Sequence, residues 1–406
     1  MDVRLLFLSW SYPPMPYPRA TQVARLAAHA KIRPLEVYCL APSGDRPVHS
    51  RDPSSGIDMV QIPRSLPARI LERVFSERRH RTLQEYDVRY LWWRRAAMHM
   101  IRTRPSHDDI LVTFGQPMTD HLAGLKIKQA TGVRWIAHFS DPWADNPFDP
   151  TAKEWLASEA AVLQAADLAV FTSQETIDLV YAKHPDAWRA KARVLPHAYD
   201  ASLYPAAGGK NDRVTVRYLG NLFAGRGPEP LFEALAILQS RSPELLHRLR
   251  FEFIGEAPMD LRDHPLVSQL PPRCVNFLPK VGYLQSLALA KSADLLLNID
   301  APAATSVFLP SKLIDYVGAG RPIFGITPAG TAAGLILSLG GWVADPTQPE
   351  QVADQLSMAL AYVERPPVEP WGAAAVRMAY EASAVAASFE RMIAQLMNDQ
   401  DRGCRR

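Results

Sequence analysis

Short uninterrupted apolar runs alternate along this chain with longer stretches whose apolar residues recur at helical spacing. Val3–Ser9, Leu35–Leu40, Ile57–Ile62, Asp109–Thr113, Arg134–Phe139 and Leu168–Thr172 are apolar at successive positions rather than at every second one. That pattern predicts strands covered on both faces. Ala20–Ala30, Met118–Gln129 and Glu154–Ala166 predict helices between them. Parallel strands need a crossover and a helix supplies it, so the expected unit is a parallel sheet flanked by helices.

The rhythm stops at Pro196–Asp212, where Pro205, Gly208, Gly209, Lys210 and Asn211 read as a linker. A second series follows, with strands at Val214–Leu219, Phe251–Ile254, Val275–Phe277, Asp294–Ile299, Pro322–Ile326 and Gly341–Ala344. Helices fit at Pro230–Gln239, Leu284–Lys291, Ser311–Val317 and Gln351–Tyr362, and Trp371–Met397 reads as one long helix. The expected fold is α/β, with two Rossmann-like parallel-sheet domains facing across a crevice. They span residues 1–200 and 201–375, and a helix at 376–406 returns to the first. Open sheets of this kind bind ligands beyond the carboxyl ends of their strands, which directs attention to the loops there.

Composition narrows the class. A chain of 406 residues, 48% hydrophobic and 21% charged, has ample material for two cores. A net charge of +3 gives no argument for nucleic acid. The three cysteines, Cys39, Cys274 and Cys404, fit no metal-ligand spacing and suit a reducing compartment. Leu5–Trp10 is too short for a signal-peptide core. The uncharged stretch Gly330–Ala344 falls short of the ~20 residues of a membrane span. The expectation is a cytoplasmic protein, soluble or peripheral on the inner membrane face.

Two segments carry candidate chemistry. In Leu309-Pro310-Ser311-Lys312-Leu313-Ile314-Asp315-Tyr316, Ser311 and Lys312 stand where a helix begins. Free N–H groups and the positive dipole end attract phosphate there, and Lys312 adds a charge. Asp315, nearly one turn on, faces the same side and suits two ribose hydroxyls. The same residues would also serve as a plain helix start, with Ser311 as cap and a solvated Lys–Asp pair. The loop Tyr218-Leu219-Gly220-Asn221-Leu222-Phe223-Ala224-Gly225-Arg226-Gly227 follows a strand and precedes a helix. Its glycines let backbone amides approach an anion, and the Arg226 fork suits a diphosphate. They do not form the G-x-G-x-x-G dinucleotide fingerprint.

With these segments in order, the sequence resembles the retaining, nucleotide-sugar-dependent glycosyltransferases of family 4, which have the GT-B fold. Pro310-Ser311-Lys312, Asp315-Tyr316 and Ala319-Gly320-Arg321-Pro322 look like that family's donor motif. Asp315 stands where Glu is usual, and Val307 where a second Glu is frequent. Gly220 matches the family's loop glycine, Asn221 replaces a frequent Arg, and Arg226-Gly227 stands at a Lys–Gly pair. Phe253-Ile254-Gly255-Glu256 and Phe277-Leu278-Pro279-Lys280 resemble the glycine segment and base-side loop. The resemblance thus implies donor contacts at Gly220, Asn221, Arg226, Gly255, Lys280, Ser311, Lys312 and Asp315.

The first half matches too. Trp10-Ser11-Tyr12-Pro13-Pro14 resembles the family's opening loop, with Tyr17-Pro18-Arg19-Ala20 where a Gly pair is usual. Arg19 would supply charge on the acceptor side. Trp135-Ile136-Ala137-His138-Phe139-Ser140-Asp141-Pro142-Trp143 resembles a subgroup with an Asp-Pro-Trp segment and Arg in place of Ser140. The resemblance implies a catalytic-side His138 near the donor sugar, which would equally serve as a satisfied core histidine. Asp141 would orient an acceptor hydroxyl or cap the turn before Pro142. No metal or other cofactor is expected, because Lys312, Arg226 and the helix end can neutralise a leaving diphosphate.

From Arg64 to Arg104, eleven arginines face four acidic residues, and Trp92 and Trp93 precede Arg94 and Arg95. Such a mixture suits an anionic membrane surface or, as plainly, a solvated face with packing tryptophans. No nucleic-acid motif accompanies it. The expected activity is sugar transfer from a nucleotide-sugar donor to a hydroxyl of a glycan or lipid-linked acceptor, in cell-surface polysaccharide synthesis. A sugar-nucleotide epimerase and a non-catalytic scaffold of the same fold are the alternatives.

Overall fold

The computed structural model describes residues 3–64, 92–148, 152–206, 211–223, 225–365 and 371–403. The chain divides into two compact units, Met1–Pro196 with Val385–Arg406, and His197–Ala384.

The first unit is built on an eight-stranded sheet. Its strands are β1 (Leu5–Leu8), β2 (Leu35–Leu40), β3 (Val48–Arg51), β4 (Asp58–Ile62), β5 (Ile110–Phe114), β6 (Arg134–His138), β7 (Leu168–Phe171) and β8 (Ala192–Val194). They lie in the order β3-β4-β2-β1-β5-β6-β7-β8. β1 is central and wholly buried, pairing Leu5 with Leu35 of β2 and with Ile110 of β5. All pairs are parallel except β3–β4, where Val48 faces Gln61. The sequence Val48-His49-Ser50-Arg51 is mostly exposed, as an edge strand is, so the apolar pattern did not reveal it. The main helices are α1 (Pro18–His29), α2 (Trp92–Thr103), α3 (Thr119–Thr131), α4 (Leu156–Ala165) and α5 (Gln174–Tyr181). Pro18 opens α1, where its missing N–H costs nothing. Gly132 closes α3 in the left-handed conformation.

The second unit has six parallel strands: β9 (Val214–Leu219), β10 (Leu249–Ile254), β11 (Val275–Leu278), β12 (Leu295–Ile299), β13 (Ile323–Ile326) and β14 (Trp342–Ala344). The order is β11-β10-β9-β12-β13-β14. Counted within the unit this is 3-2-1-4-5-6, the doubly wound order, whose winding reverses between β9 and β12. In the first unit the corresponding reversal lies between β1 and β5. The main helices are α6 (Glu229–Arg241), α7 (Tyr283–Lys291), α8 (Ser311–Ala319), α9 (Thr331–Ser338) and α10 (Pro349–Glu364), and α11 (Ala382–Gly403) starts in this unit but belongs from Val385 on to the first.

Three expectations need correction. The described part of 196–212 is packed rather than a free linker: Tyr204 donates its hydroxyl to the Asp315 carbonyl (2.8 Å), and Asn211 donates to Asp294 (2.9 Å). The glycines Gly208 and Gly209, with Lys210, lie outside the described residues. Trp371–Met397 is not one helix, because it breaks at Tyr380–Glu381. There Tyr199 forms a parallel bridge, its N–H meeting the Tyr380 carbonyl (2.9 Å) and its carbonyl accepting from Ala382 (2.8 Å). Beyond the break α11 packs on the first unit. Phe389 meets the Phe7 ring edge-on at 6.0 Å, and Glu390 accepts from the Lys31 and Ile32 N–H groups.

The third concerns the basic segment, of which 65–91 lie outside the described residues, as does Cys404. Trp92 is 0% exposed and its indole N–H donates to the Ile62 carbonyl at 2.7 Å, so it is a core residue and unavailable to a membrane. Trp93 packs partly buried against the same core. Arg94 is exposed beside the Trp93 ring, and Arg95 donates to the carbonyls of Arg64 and Asp45. Among the described residues no helix is long and apolar enough to cross a membrane. Cys39 and Cys274 are buried free thiols, pushed up to about 12 and about 11 by that burial, which suits a packing role. Trp92→Ala is expected to lower the unfolding free energy by about 3–5 kcal/mol through the cavity it leaves. Urea denaturation checks this, and a loss below about 1 kcal/mol would contradict the core assignment.

Candidate functional site

At the β9/β12 reversal the two strands part early. Only Val216 and Leu296 with their neighbours pair, Val216 with Leu295 and Arg217 with Leu296, while β9 and β10 pair along six residues. The Leu219 N–H, at the β9 end, donates instead to the Tyr316 hydroxyl of α8 at 2.8 Å. That bond fixes the start of α8 against the parted strands, since a buried N–H left unpaired is costly.

The loops after β9 and β10 close on one another. Gly220 and Gly255 have φ of +140° and +151°, and a Cβ on Gly255 would stand 2.3 Å from the Gly220 carbonyl oxygen. Gly255 therefore serves close backbone packing. Asn221 accepts from the Glu256 N–H at 3.1 Å, so it laces the two loops together. Arg226 follows a turn at Gly225 (φ +84°) and reaches across the reversal to β12. Its Nε donates to the Ile299 carbonyl and its Nη2 to Asp300 Oδ1, both at 2.8 Å. Asp300 Oδ2 accepts from the Asn298 amide and the Thr327 hydroxyl, each at 2.8 Å.

Pro310, not Ser311, is the N-cap of α8, because its extended backbone leaves Ser311 as the first helical residue; no side chain caps the helix. Lys312, half-buried in the first turn, places its ammonium 3.7 Å from the centre of the Tyr218 ring and donates to the Tyr218 hydroxyl at 2.5 Å. Burial holds Lys312 well below its ordinary 10.5, Arg226 adds to that, and Asp300 opposes it. Burial likewise pushes the Tyr218 phenol up to about 12, so it stays a neutral partner. Asp315 Oδ1 accepts from the Tyr283 hydroxyl at 2.8 Å. The result is two cations near a helix N-terminus, Arg226 paired with Asp300 and Lys312 held by Tyr218, a setting fit for a polyanion.

Of the sequence-derived residues, the second unit thus gathers Gly220, Asn221, Arg226, Gly255, Lys312 and Asp315 around one reversal. Lys280 is exposed after β11, two strands from it, and is not brought in. Tyr218, Tyr283 and Tyr316 were not singled out in the sequence. Tyr218 and Tyr316 lie within the quoted segments, but an aromatic at a strand end or on a helix reads as core.

The β1/β5 reversal of the first unit holds a buried polar group. The Trp10 N–H donates to Asp120 Oδ2 at 2.6 Å, and Arg19 Nη1 lies 3.5 Å from His138 Nδ1. His121 Nδ1 meets the Thr113 hydroxyl at 2.7 Å, and Gln116 donates to Asp141 Oδ2 at 3.0 Å. Burial lowers the Arg19 guanidinium to about 10, against the pull of Asp141 and Asp120, and lowers His121 to about 3. Burial also raises the Asp120 carboxyl well above its usual range and raises Asp141. Arg19, His138 and Asp141 are thus neighbours, joined by Gln116, Asp120 and His121, which the sequence did not mark. Among the described residues no group of His, Cys, Asp and Glu side chains is arranged to hold a metal ion.

No protein-family model and no curated protein sequence matches this chain. Solved structures do. The α,α-trehalose-6-phosphate synthase of Burkholderia multivorans is 13% identical, with 98% of this chain and 100% of that one aligned and a TM-score of 0.70. A UDP-forming trehalose-phosphate synthase of Burkholderia xenovorans, solved with glucose-6-phosphate, is 14% identical over 97% and 100%, with a TM-score of 0.71. HepE of Anabaena, solved with UDP and glucose, is 15% identical over 99% of each chain, with a TM-score of 0.59. The likeness establishes the fold: two parallel-sheet α/β domains of the GT-B kind.

The Lys312 environment has a pH consequence. A cation whose folded value lies below its unfolded one destabilises the fold while protonated, and that cost is relieved as pH rises from the depressed value toward 10.5. The stability of the wild type is therefore expected to rise with pH across that window relative to Lys312→Met. Parallel urea midpoints at several alkaline pH values check it; identical pH profiles would contradict the buried-cation account.

Proposed function

We propose that this chain is a nucleotide-sugar-dependent glycosyltransferase. The observation that carries the reading is the Arg226–Asp300–Lys312 cluster at the start of α8, beside the β9/β12 reversal. A nucleoside diphosphate would exchange its charge for the solvation these cations lack, with Asp315 and Tyr283 placed a turn further on for the ribose. As diphosphate charge builds on the leaving group, Arg226 and Lys312 stabilise it without reorganising, which is where such sites gain most of their rate. The leaving group needs no metal in this scheme.

The finer parts of the reading rest on the family 4 resemblance. The anomeric configuration would be retained, and the acceptor would be a hydroxyl on a glycan or lipid-linked precursor of a cell-surface polysaccharide. His138, held beside Arg19, would bond the donor sugar, and Asp141 would orient the acceptor. The synthases of similar fold are described as UDP-forming and HepE is solved with UDP, which makes UDP the first nucleotide to test.

A thermal-shift titration with UDP, GDP, ADP, CMP and dTDP tests the donor site. At roughly 100 times its Kd, the right nucleotide should stabilise the wild type by about 2.7 kcal/mol and Lys312→Met not at all. No response from a folded wild type would leave the scaffold alternative as the better reading. Product analysis with donor alone separates an epimerase from a transferase. Activity is expected to survive EDTA; complete loss, restored by a divalent cation, would overturn the metal-free scheme.

A further inference from the structure

We propose that the first unit carries an anion-binding site at the β1/β5 reversal, anchored by the Arg19 guanidinium, and that it takes the phosphate or carboxylate of an anionic acceptor. The acceptor assignment rests on the glycosyltransferase reading; the anion site itself does not.

The argument starts from one buried cation. Arg19 is 6% exposed and sits in the first turn of α1. A guanidinium stays charged in a protein, so burying it calls for an anion or for well-made hydrogen bonds. Among the described residues its Nη1 has only His138 Nδ1, at 3.5 Å. Its Nε and Nη2, which form one edge of the planar fork, have no hydrogen-bond partner among the described residues. At Arg4 and Arg226 the same edge is used fully. Arg4 donates Nε and Nη2 to the two oxygens of Asp109, at 3.1 and 2.9 Å, and Arg226 donates its pair to Ile299 and Asp300. A fork edge of this shape fits a carboxylate or phosphate with two parallel bonds.

The two nearby carboxylates do not fill that role. Asp120 and Asp141 favour the charge of Arg19 through space, yet neither forms an ion pair with it. One oxygen of Asp120 holds the Trp10 N–H, and Asp141 holds the Gln116 amide. The loops that border the reversal add further polar atoms with no hydrogen-bond partner among the described residues: the hydroxyls of Ser11 and Thr119, and Nε2 of His121. Thr113 Oγ1 accepts from the Trp135 indole at 2.9 Å and lies 2.7 Å from His121 Nδ1. The hydroxyls of Ser11 and Thr119 can donate to an anion, and among the described residues no group of His, Cys, Asp and Glu side chains is arranged to hold a metal ion. Gln116 is exposed and held at φ +75°, a conformation side chains rarely adopt and one found where a ligand contact has to be aimed.

Thermal shift with inorganic phosphate, glucose-6-phosphate, glucose and UDP, on wild type, Arg19→Met, Arg19→Lys and Lys312→Met, tests the site. Arg19→Met is expected to raise the melting temperature of the free protein, because it removes a buried cation with an unmet fork. The phosphate and glucose-6-phosphate responses should vanish in it while the UDP response persists. Arg19→Lys keeps the charge but not the fork, and should weaken phosphate binding at least tenfold, which keeps the test open should the Met variant misfold. A lower melting temperature for Arg19→Met with an unchanged phosphate response would make Arg19 structural and overturn the proposal. Loss of the UDP response in Arg19→Met, or glucose alone matching glucose-6-phosphate, would overturn the acceptor assignment. A phosphate response with no nucleotide response in any variant would sink the donor-site reading and leave the anion site standing.

Discussion

The Arg226–Asp300 ion pair bridges the one place in the second sheet where the backbone ladder cannot. β9 and β12 must part there, because the chain winds in opposite directions on either side of them. Once they part, the ends of both strands need partners from outside the ladder. Arg226 takes the Ile299 carbonyl and the Asp300 carboxylate, and Tyr316 takes the Leu219 N–H. Those contacts place the start of α8, and with it Lys312, at the mouth of the gap. The site is the consequence of a topological necessity met with polar side chains rather than with more sheet.

Charge is distributed unevenly around both reversals. In the second unit Asp300 pairs with Arg226 while Lys312 turns to Tyr218, and in the first the buried Arg19 guanidinium has no ion pair among the described residues. Replacing such groups with apolar residues of similar volume commonly stabilises a fold. They stand at the strand ends, beside positive-φ backbone at Gly220, Gly255 and Gln116.

Most of the fold was legible because buried parallel strands are continuous apolar runs. β2 and β9 have the bounds their sequences suggest, and most other strands differ by a residue or two at an end. What escaped notice had little apolar signal. β3 is polar because it is an exposed antiparallel edge, and β8 is three residues long. The long pattern before Met397 hides a break because a parallel bridge to Tyr199, distant in sequence, interrupts it. The site was legible where a motif combined a cation with a helix start, as at Lys312. It was illegible where the partner was a tyrosine, since Tyr218 and Tyr316 look like core until their hydroxyls are placed. Trp92 misled in the opposite direction, because tryptophan beside arginine has the same letters whether the ring faces lipid or the protein interior.

The division of the chain has a consequence for its biosynthesis. Since residues 385–406 belong with residues 1–196, the second unit is in effect inserted into the first. A ribosome delivers the whole of the second unit before the first has its last helix, so the unit that begins first is the one completed last. Phe7 waits through nearly the entire chain for Phe389 to cover its ring edge. A fragment ending after Glu364 would contain an intact second sheet and an unfinished first core, the reverse of what loss of a C-terminal tail does to domains strung in series.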